Sequence, residues 1–401
     1  MKKDNQSKLK PKLRFPEFRD AEAWSEGRFA EIAELLQGYG FPERYQGQIT
    51  GEYPFYKVSD ISKSLETGKV FIEESVNYIN ESVLKELKAK AIPEGTTIFA
   101  KIGEAIRSNR RAITTRTCLI DNNVAGIKRI EGRSTDLFVY FLMETISLID
   151  YAGGVVPAVN KSVIEDIVIR FPKIDEQQKI ADCLSCLDEL IADQSQKLDA
   201  LKTHKKGLMQ QLFPREGETQ PRLRFPNFRE QWDETQLQKL CASISSGRDQ
   251  RETDGVFDLY GSTGIIGKTI TPSFNGPHIL VARVGANAGL LTKANGQFGA
   301  TDNTLVVSLS PSTNIDYIFY SLRNINVNRL IFGSGQPLIT GSILKNLRIF
   351  LPSPSEQQKI SAFLSSLDEC IIAQSDMLEE LRIHKRGLMQ QLFLSPEEVE
   401  A

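Results

Sequence analysis

The chain has 401 residues, 40% apolar and 25% charged, the composition of folded globular protein, and its length accommodates two or three domains. A formal charge of -2 leaves no global field for a polyanion, so any nucleic acid must be met by local basic patches. Five cysteines without framework spacing point to a reducing cytosol, no apolar run is long enough to span a bilayer, and the basic start MKKDNQSKLK lacks the apolar stretch of a signal peptide.

The first recognisable motif is LRFPEF at Leu13–Phe18, followed by Trp24. A mixed segment comes next, with a helical patch over Asn80–Lys90 and a strand-like run at Thr97–Ala100. Beyond that strand the chain turns basic: Lys101, Arg107, Arg110, Arg111 and Arg116 are opposed only by Glu104, around the core Ile106-Arg107-Ser108-Asn109-Arg110-Arg111. Asp121-Asn122-Asn123 follows shortly. Arginine reads guanine bidentately, asparagine reads adenine, and scattered Lys and Arg neutralise phosphate, so this stretch is a candidate DNA contact. The bland alternative is a solvated loop. A second helical patch spans Leu137–Ile149, and the strand-like IVIRFP, Ile167–Pro172, closes the segment.

A long helix then runs over Glu176–Phe213, EQQKIADCLSCLDELIADQSQKLDALKTHKKGLMQQLF. Its seam positions, Ile180, Leu184, Leu187, Ile191, Gln194, Leu198, Leu201, Lys205, Leu208 and Leu212, alternate in steps of four and three, the spacing of a coiled coil. Asp175 is a candidate N-cap after Pro172. Cys183 and Cys186 form a C-x-x-C, but one helical turn apart, where a metal or redox role is the remote reading. The segment Pro214–Pro221, PREGETQP, reads as a linker.

The order then repeats. LRFPNF at Leu223–Phe228 precedes Trp232; ILVARVGANA at Ile279–Ala288 matches IFAKIGEA at Ile98–Ala105, setting Arg283 against Lys101 and Gly285 against Gly103. TDNTLVVS from Thr301 is laid over IDNNVAGI from Ile120, Pro337 over Pro157, and LRIFLP at Leu347–Pro352 over IVIRFP. Strands are expected at Ile279–Val284 and Thr304–Leu309, and a helix at Ile315–Leu322. The counterpart contact residues are Arg283, Asn287 and Asn303, with thinner charge. The G-x-x-G-x-x-G of Gly261–Gly267 fails the phosphate-loop spacing at Ser262 and reads as a turn-rich loop. The second long helix, Glu356–Phe393, keeps 24 of 38 residues of the first and the same seam: Ile360, Leu364, Leu367, Ile371, Gln374, Leu378, Leu381, Lys385, Leu388 and Leu392, with Ser355 as its candidate N-cap. The simplest partner for one seam is the other. Gln194 and Gln374, Lys205 and Lys385 are polar intruders that either fix register or, for the lysines, snorkel to solvent.

These intervals define six segments: a first α/β domain with its head (1–172), a helical spacer (173–213), a linker (214–222), a second α/β domain (223–352), a second spacer (353–393) and a tail (394–401). The long helices are nearly interchangeable, whereas the domains between them agree only at scattered positions. One scaffold therefore carries two different surfaces. Trp24 to Lys101 spans 77 residues and Trp232 to Arg283 only 51, so the two domains differ most over this interval.

The helix with EQQKI near its start and KKGLMQQLF at its end, repeated once behind an LRFP(E/N)F head, closely resembles the conserved regions of the specificity subunits of type I restriction–modification systems. The resemblance implies mixed α/β target-recognition domains joined by an antiparallel coiled coil with an internal pseudo-twofold repeat. It further implies a non-catalytic, cytoplasmic subunit that binds double-stranded DNA, two modification subunits and motor–nuclease restriction subunits. S-adenosylmethionine, ATP and Mg would belong to those partners; this chain is expected to hold no cofactor or metal and to have no membrane role. A coiled-coil adaptor without DNA specificity explains the helices but not divergent domains on matching stems. A single-chain methyltransferase fails for want of motifs.

Overall fold

The computed structural model describes residues 10–66, 69–330 and 338–394; Pro337 and most of the 394–401 tail lie outside them. The chain forms two compact units, Met1–Lys197 with Gln374–Ala401, and Leu198–Ala373. Each unit thus holds one α/β domain and a segment of both long helices.

In the first unit, Ala33–Gln37, Val124–Arg129, Thr97–Ala100, Arg111–Thr114 and Phe71–Ile72 form a sheet in that order, antiparallel except for the last pair. Thr97–Ala100 and Arg111–Thr114 are buried along their whole length, which is why their sequences lack the polar alternation of a half-exposed strand. Helix Asp136–Glu144 covers this sheet, capped by the Thr135 side chain, and its Phe138, Val139 and Leu142 join a core with Trp24, Phe29 and Ile127. A smaller sheet sets Tyr53–Tyr56 between Tyr78–Ile79 and Leu119–Ile120. Helix Val58–Glu66, which the sequence pattern missed, lies in the longer interval between Trp24 and Lys101. The Asn80–Lys90 patch forms only the short helix Glu81–Glu86, ended by Lys88 at φ 47°.

The second unit repeats the plan without that helix. Cys241–Ser246, Thr304–Leu309, His278–Ala282 and Leu291–Ala294 form its main sheet, and helix Ile315–Ile325 buries Tyr317, Ile318 and Leu322 against it. Its smaller sheet contains the hairpin Phe257–Gly261 and Gly264–Thr269, so the glycine-rich stretch is a β-turn with its strands. Paired strand ends, Ser25–Arg28 with Val168–Phe171 and Asp233–Gln236 with Arg348–Leu351, close both domains just before the long helices.

Those helices run Ile174–Leu212 and Pro354–Leu392, 39 residues each, about 58 Å long. Each starts slightly earlier than expected, so Asp175 and Ser355 sit in the first turn instead of capping it; Pro354 at the first helical position needs no N–H partner. Every seam position is buried or half-buried in both helices. Pairing is antiparallel inside each unit: Gln374 donates to Gln194 and Lys385 bridges to Asp188 in the first, while Lys205 bridges to Asp368 in the second. The ends of the stripe serve another purpose. Ile180, Leu184 and Leu392 join the first domain's core, and Ile360, Leu364 and Leu212 join the second's.

The repeated motifs converge at one corner of each unit. Arg14 Nε and Nη2 donate to the two oxygens of Glu176 at 2.8 and 2.7 Å, and Trp24 Nε1 donates to the same carboxylate at 3.2 Å. Arg224, Glu356 and Trp232 repeat the arrangement at 2.9, 2.7 and 3.2 Å. Gln177 and Gln357 each donate to the carbonyl of the proline that precedes their helix, Pro172 and Pro352, at 2.9 Å. The head is tied to the end of the opposite helix by Leu13 N–H to Gln391 O and by Leu223 N–H to Gln211 O. Trp24 meets Phe393 edge-on. The sequence signature LRFP…W…EQQ…QQLF is therefore one joint, read in four pieces.

The seam lysines do not snorkel. Lys205 is 5% exposed and lies over the Tyr320 ring beside Asp368; Lys385 lies over Phe141 and bridges Asp188 at 2.7 Å and Glu144 at 3.1 Å. Two carboxylates face Lys385, so although burial would lower its pKa, Glu144 and Asp188 hold it above the ordinary lysine range, and burial pushes Asp188 up. At the other site Arg323 adds a second cation. Burial there lowers Lys205; it would raise Asp368, but bonds from Lys205 and Tyr320 hold that carboxyl below its ordinary range.

Candidate nucleic-acid interface

Both domains build the same backbone bracket where the central strand leaves the sheet. In the first, Lys101 N–H donates to Asn123 O at 2.9 Å and Lys101 O accepts from Val159 N–H at 3.0 Å. In the second, Arg283 N–H donates to Asn303 O and Arg283 O accepts from Ile339 N–H, both at 2.8 Å. Lys101 is therefore the equivalent of Arg283, as the repeat indicated. The asparagine turns need a correction of one residue. Val124 N–H bonds Asp121 O just as Thr304 N–H bonds Thr301 O, so Asn123 matches Asn303 and Asn122 matches Asp302. Aligning the Asp-Asn pairs by letter slips the register that the strand ladder sets, with Ile127 opposite Thr97 and Val307 opposite Ile279.

A glycine fixes each turn in place. A Cβ on Gly38 would sit 1.9 Å from Asp121 O, and one on Gly247 would sit 2.0 Å from Ala300 O, so the neighbouring strand can approach only without a side chain. Asp121 Oδ1 accepts from Asn123 N–H at 2.8 Å, an Asx turn that leaves the Asn122 and Asn123 side chains exposed. Asn303 and Asn287 are exposed in the second domain, and Arg283 is half-buried. Asn287 lies on a tight loop closed by Gly289 N–H to Ala282 O.

The basic segment divides into two parts. Residues Glu104–Ser108 form a 3-10 turn with Arg107 and Ser108 exposed; Arg110 is exposed beyond it. Arg107 pairs with Glu104 at 2.9 Å, both well in solvent, a contact worth little and readily exchanged for phosphate. Arg111 is different. It is 2% exposed, starts a buried strand, and donates to Asn109 O, Asn109 Oδ1 and Ile146 O. Burial pulls its pKa down to about 10. Asn109, left-handed at φ 49°, also donates to Ile146 O. These two residues brace the turn just beyond the end of helix Asp136–Glu144, and Arg111 is spent on internal hydrogen bonds in place of the exposed contact the sequence suggested. Arg111 differs from Arg110 in opening the fully buried strand Arg111–Thr114, whose Ala112 and Ile113 are the only local signal that separates the two. Sequence reasoning missed Gln37, Asn160 and Lys161, which line a cleft beside Lys101 and come from two segments distant from it in sequence. Among the described residues no cluster of His, Cys, Asp and Glu could hold a metal, and no helix is long and apolar enough to cross a membrane. Cys183 is half-buried and Cys186 exposed on their helix.

Two copies of one bracket, differently decorated and held on matched helical stems, make a protein that presents two distinct reading surfaces from one scaffold. The family model described as "Type I restriction modification DNA specificity domain" matches residues 21–203 and 230–382. The chain belongs to that family and carries two of its recognition domains. It is 35% identical over 120 residues to the type I restriction enzyme EcoprrI specificity subunit of Escherichia coli, a match covering 30% of either protein. Identity with the MjaVIII specificity subunit of Methanocaldococcus jannaschii is 22% over 94% of this chain and 93% of the relative. Among solved structures, the type I S subunit from M. genitalium superposes with a TM-score of 0.63 at 13% identity, over 96% of this chain and 99% of that one. A chain from a study of type I complex assembly and conformational transition superposes with a TM-score of 0.54 at 17% identity, over 92% and 97%.

Proposed function

We propose that this specificity subunit reads a bipartite, asymmetric DNA target, one half-site per domain, and scaffolds two modification subunits together with restriction subunits in the cytoplasm. The repeated bracket carries the reading: the same strand end presents a cation and an exposed asparagine in both domains, amid unequal neighbours. Lys101, Arg107, Ser108, Arg110, Asn122 and Asn123 face the first half-site. Arg283, Asn287 and Asn303 face the second. Phosphate contacts from the cations fix position, and the asparagine amides are suited to adenine edges. The chain performs no chemistry itself; methyl donor, ATP and Mg belong to the partner subunits. Nothing observed favours an adaptor without DNA specificity.

Methylation mapping of a host expressing the chain with its modification subunits tests this. A split motif with two unlike halves is expected. A palindromic or uninterrupted motif would refute it.

A further inference from the structure

Next to the basic turn stands an apolar tip. Gly153 and Ala158 exchange both backbone hydrogen bonds, at 3.0 and 3.1 Å, closing a short hairpin over Gly154, Val155, Val156 and Pro157. Gly154 takes φ +91°, which a side chain would resist. The base is fixed to the interface: Gly103 N–H donates to Pro157 O at 2.7 Å, Ile102 bridges Ala158, and Val159 bonds Lys101 O. Among the described residues the tip joins no hydrophobic cluster: Val155 is fully exposed and Val156 is 62% exposed. Ile102, also exposed, flanks the base through its bridge to Ala158, beside Lys101, and the turn Glu104–Ser108 with exposed Arg107 begins one residue after Gly103.

An apolar tip cannot bind phosphate, yet it rises from residues suited to phosphate. Within the duplex the exposed apolar group that distinguishes bases is the C5-methyl of thymine in the major groove. The hairpin's backbone is already closed by the Gly153–Ala158 pair, and valine has few rotamers to lose, so contact costs little further entropy. We infer that Val155 and Val156 read a thymine methyl in the half-site of the first domain. This rests on the DNA-recognition reading above and names the chemistry of one position in it.

The test uses the chain co-expressed with its modification subunits and duplexes carrying the mapped target, with each thymine of the half-site replaced in turn by uracil. For the unaltered chain, one replacement should weaken binding about three- to fivefold, the loss expected for one buried methyl. The V155A/V156A variant should bind the thymine duplex about ten- to a hundredfold more weakly. It should no longer distinguish thymine from uracil at that position, and its melting temperature should be unchanged because the side chains are exposed. Equal binding by variant and parent on a target the parent reads specifically would overturn the tip and leave the DNA reading standing. So would a uniform loss with no thymine–uracil coupling. A variant that sheds its modification subunits would make the tip a protein contact and overturn the inference. No specific DNA binding by the parent complex would overturn both.

Discussion

Replacing Glu176 by Gln tests the joint at which head, domain and both helices meet. The carboxylate is 3% exposed and accepts from Arg14 twice and from Trp24 once; the Arg14 side chain is itself nearly buried. The hydrogen bond to Glu176 holds the guanidinium above its ordinary pKa, and an arginine remains protonated at neutral pH even without that partner. Gln keeps the volume but directs an NH2 group at donors and strands a buried cation. Breaking a buried pair in this way costs about 3–5 kcal/mol. For a unit of this size each kcal/mol shifts melting by about 2–4 °C, which gives a fall of roughly 6–20 °C. The Glu356→Gln counterpart should fall toward the lower end, because Arg224 is more exposed. Calorimetry would give the magnitude, and hydrogen exchange at residues 13–24 and 174–184 would show whether the corner opens. Removing both charges with R14M/E176M should cost less than E176Q alone, since no buried ion is left unpaired. A loss under about 1 kcal/mol for E176Q, or additive costs in the pair, would mean that apolar packing around Trp24 holds the joint and the ionic network does not.

R107A/R110A should weaken DNA binding and lower the salt slope by up to about one unit per lost phosphate contact without changing melting, whereas R111A should lower melting first; anisotropy titrations across a salt series beside thermal scans separate them. Asp368 has a folded pKa below its ordinary value, so its stabilisation is present above the ordinary aspartate range and is lost as pH falls through the lowered value. The gap in melting temperature between parent and D368N should therefore hold from neutral pH down to about 4 and shrink below it. If the helix pair sets the spacing of the half-sites, one heptad inserted after Gln194 and another after Gln374 keeps the seam and adds about 10.5 Å. The preferred gap should then grow by about three base pairs at roughly 3.4 Å each; full activity confined to the original gap would refute the spacer role.

The sequence alone determined the repeat, both long helices with every seam position, and the order of head, domain and stem. It did so because a 3.5-residue apolar period depends only on neighbours along one chain. The buried strands Thr97–Ala100 and Thr304–Leu309 were legible for a related reason: each is an apolar run bounded by turn residues. Tertiary structure decided what no local pattern encodes. Arg110 and Arg111 are adjacent letters, but strand pairing turns one outward and buries the other against Ile146 O. The seam lysines became ion pairs because antiparallel packing brought Asp188 and Asp368 opposite them. Asn123 came to match Asn303 because ladder register, not letter identity, aligns two sheets. The joint of Arg14, Trp24, Glu176 and Phe393 draws on residues far apart in sequence, and only the closed fold brings them together.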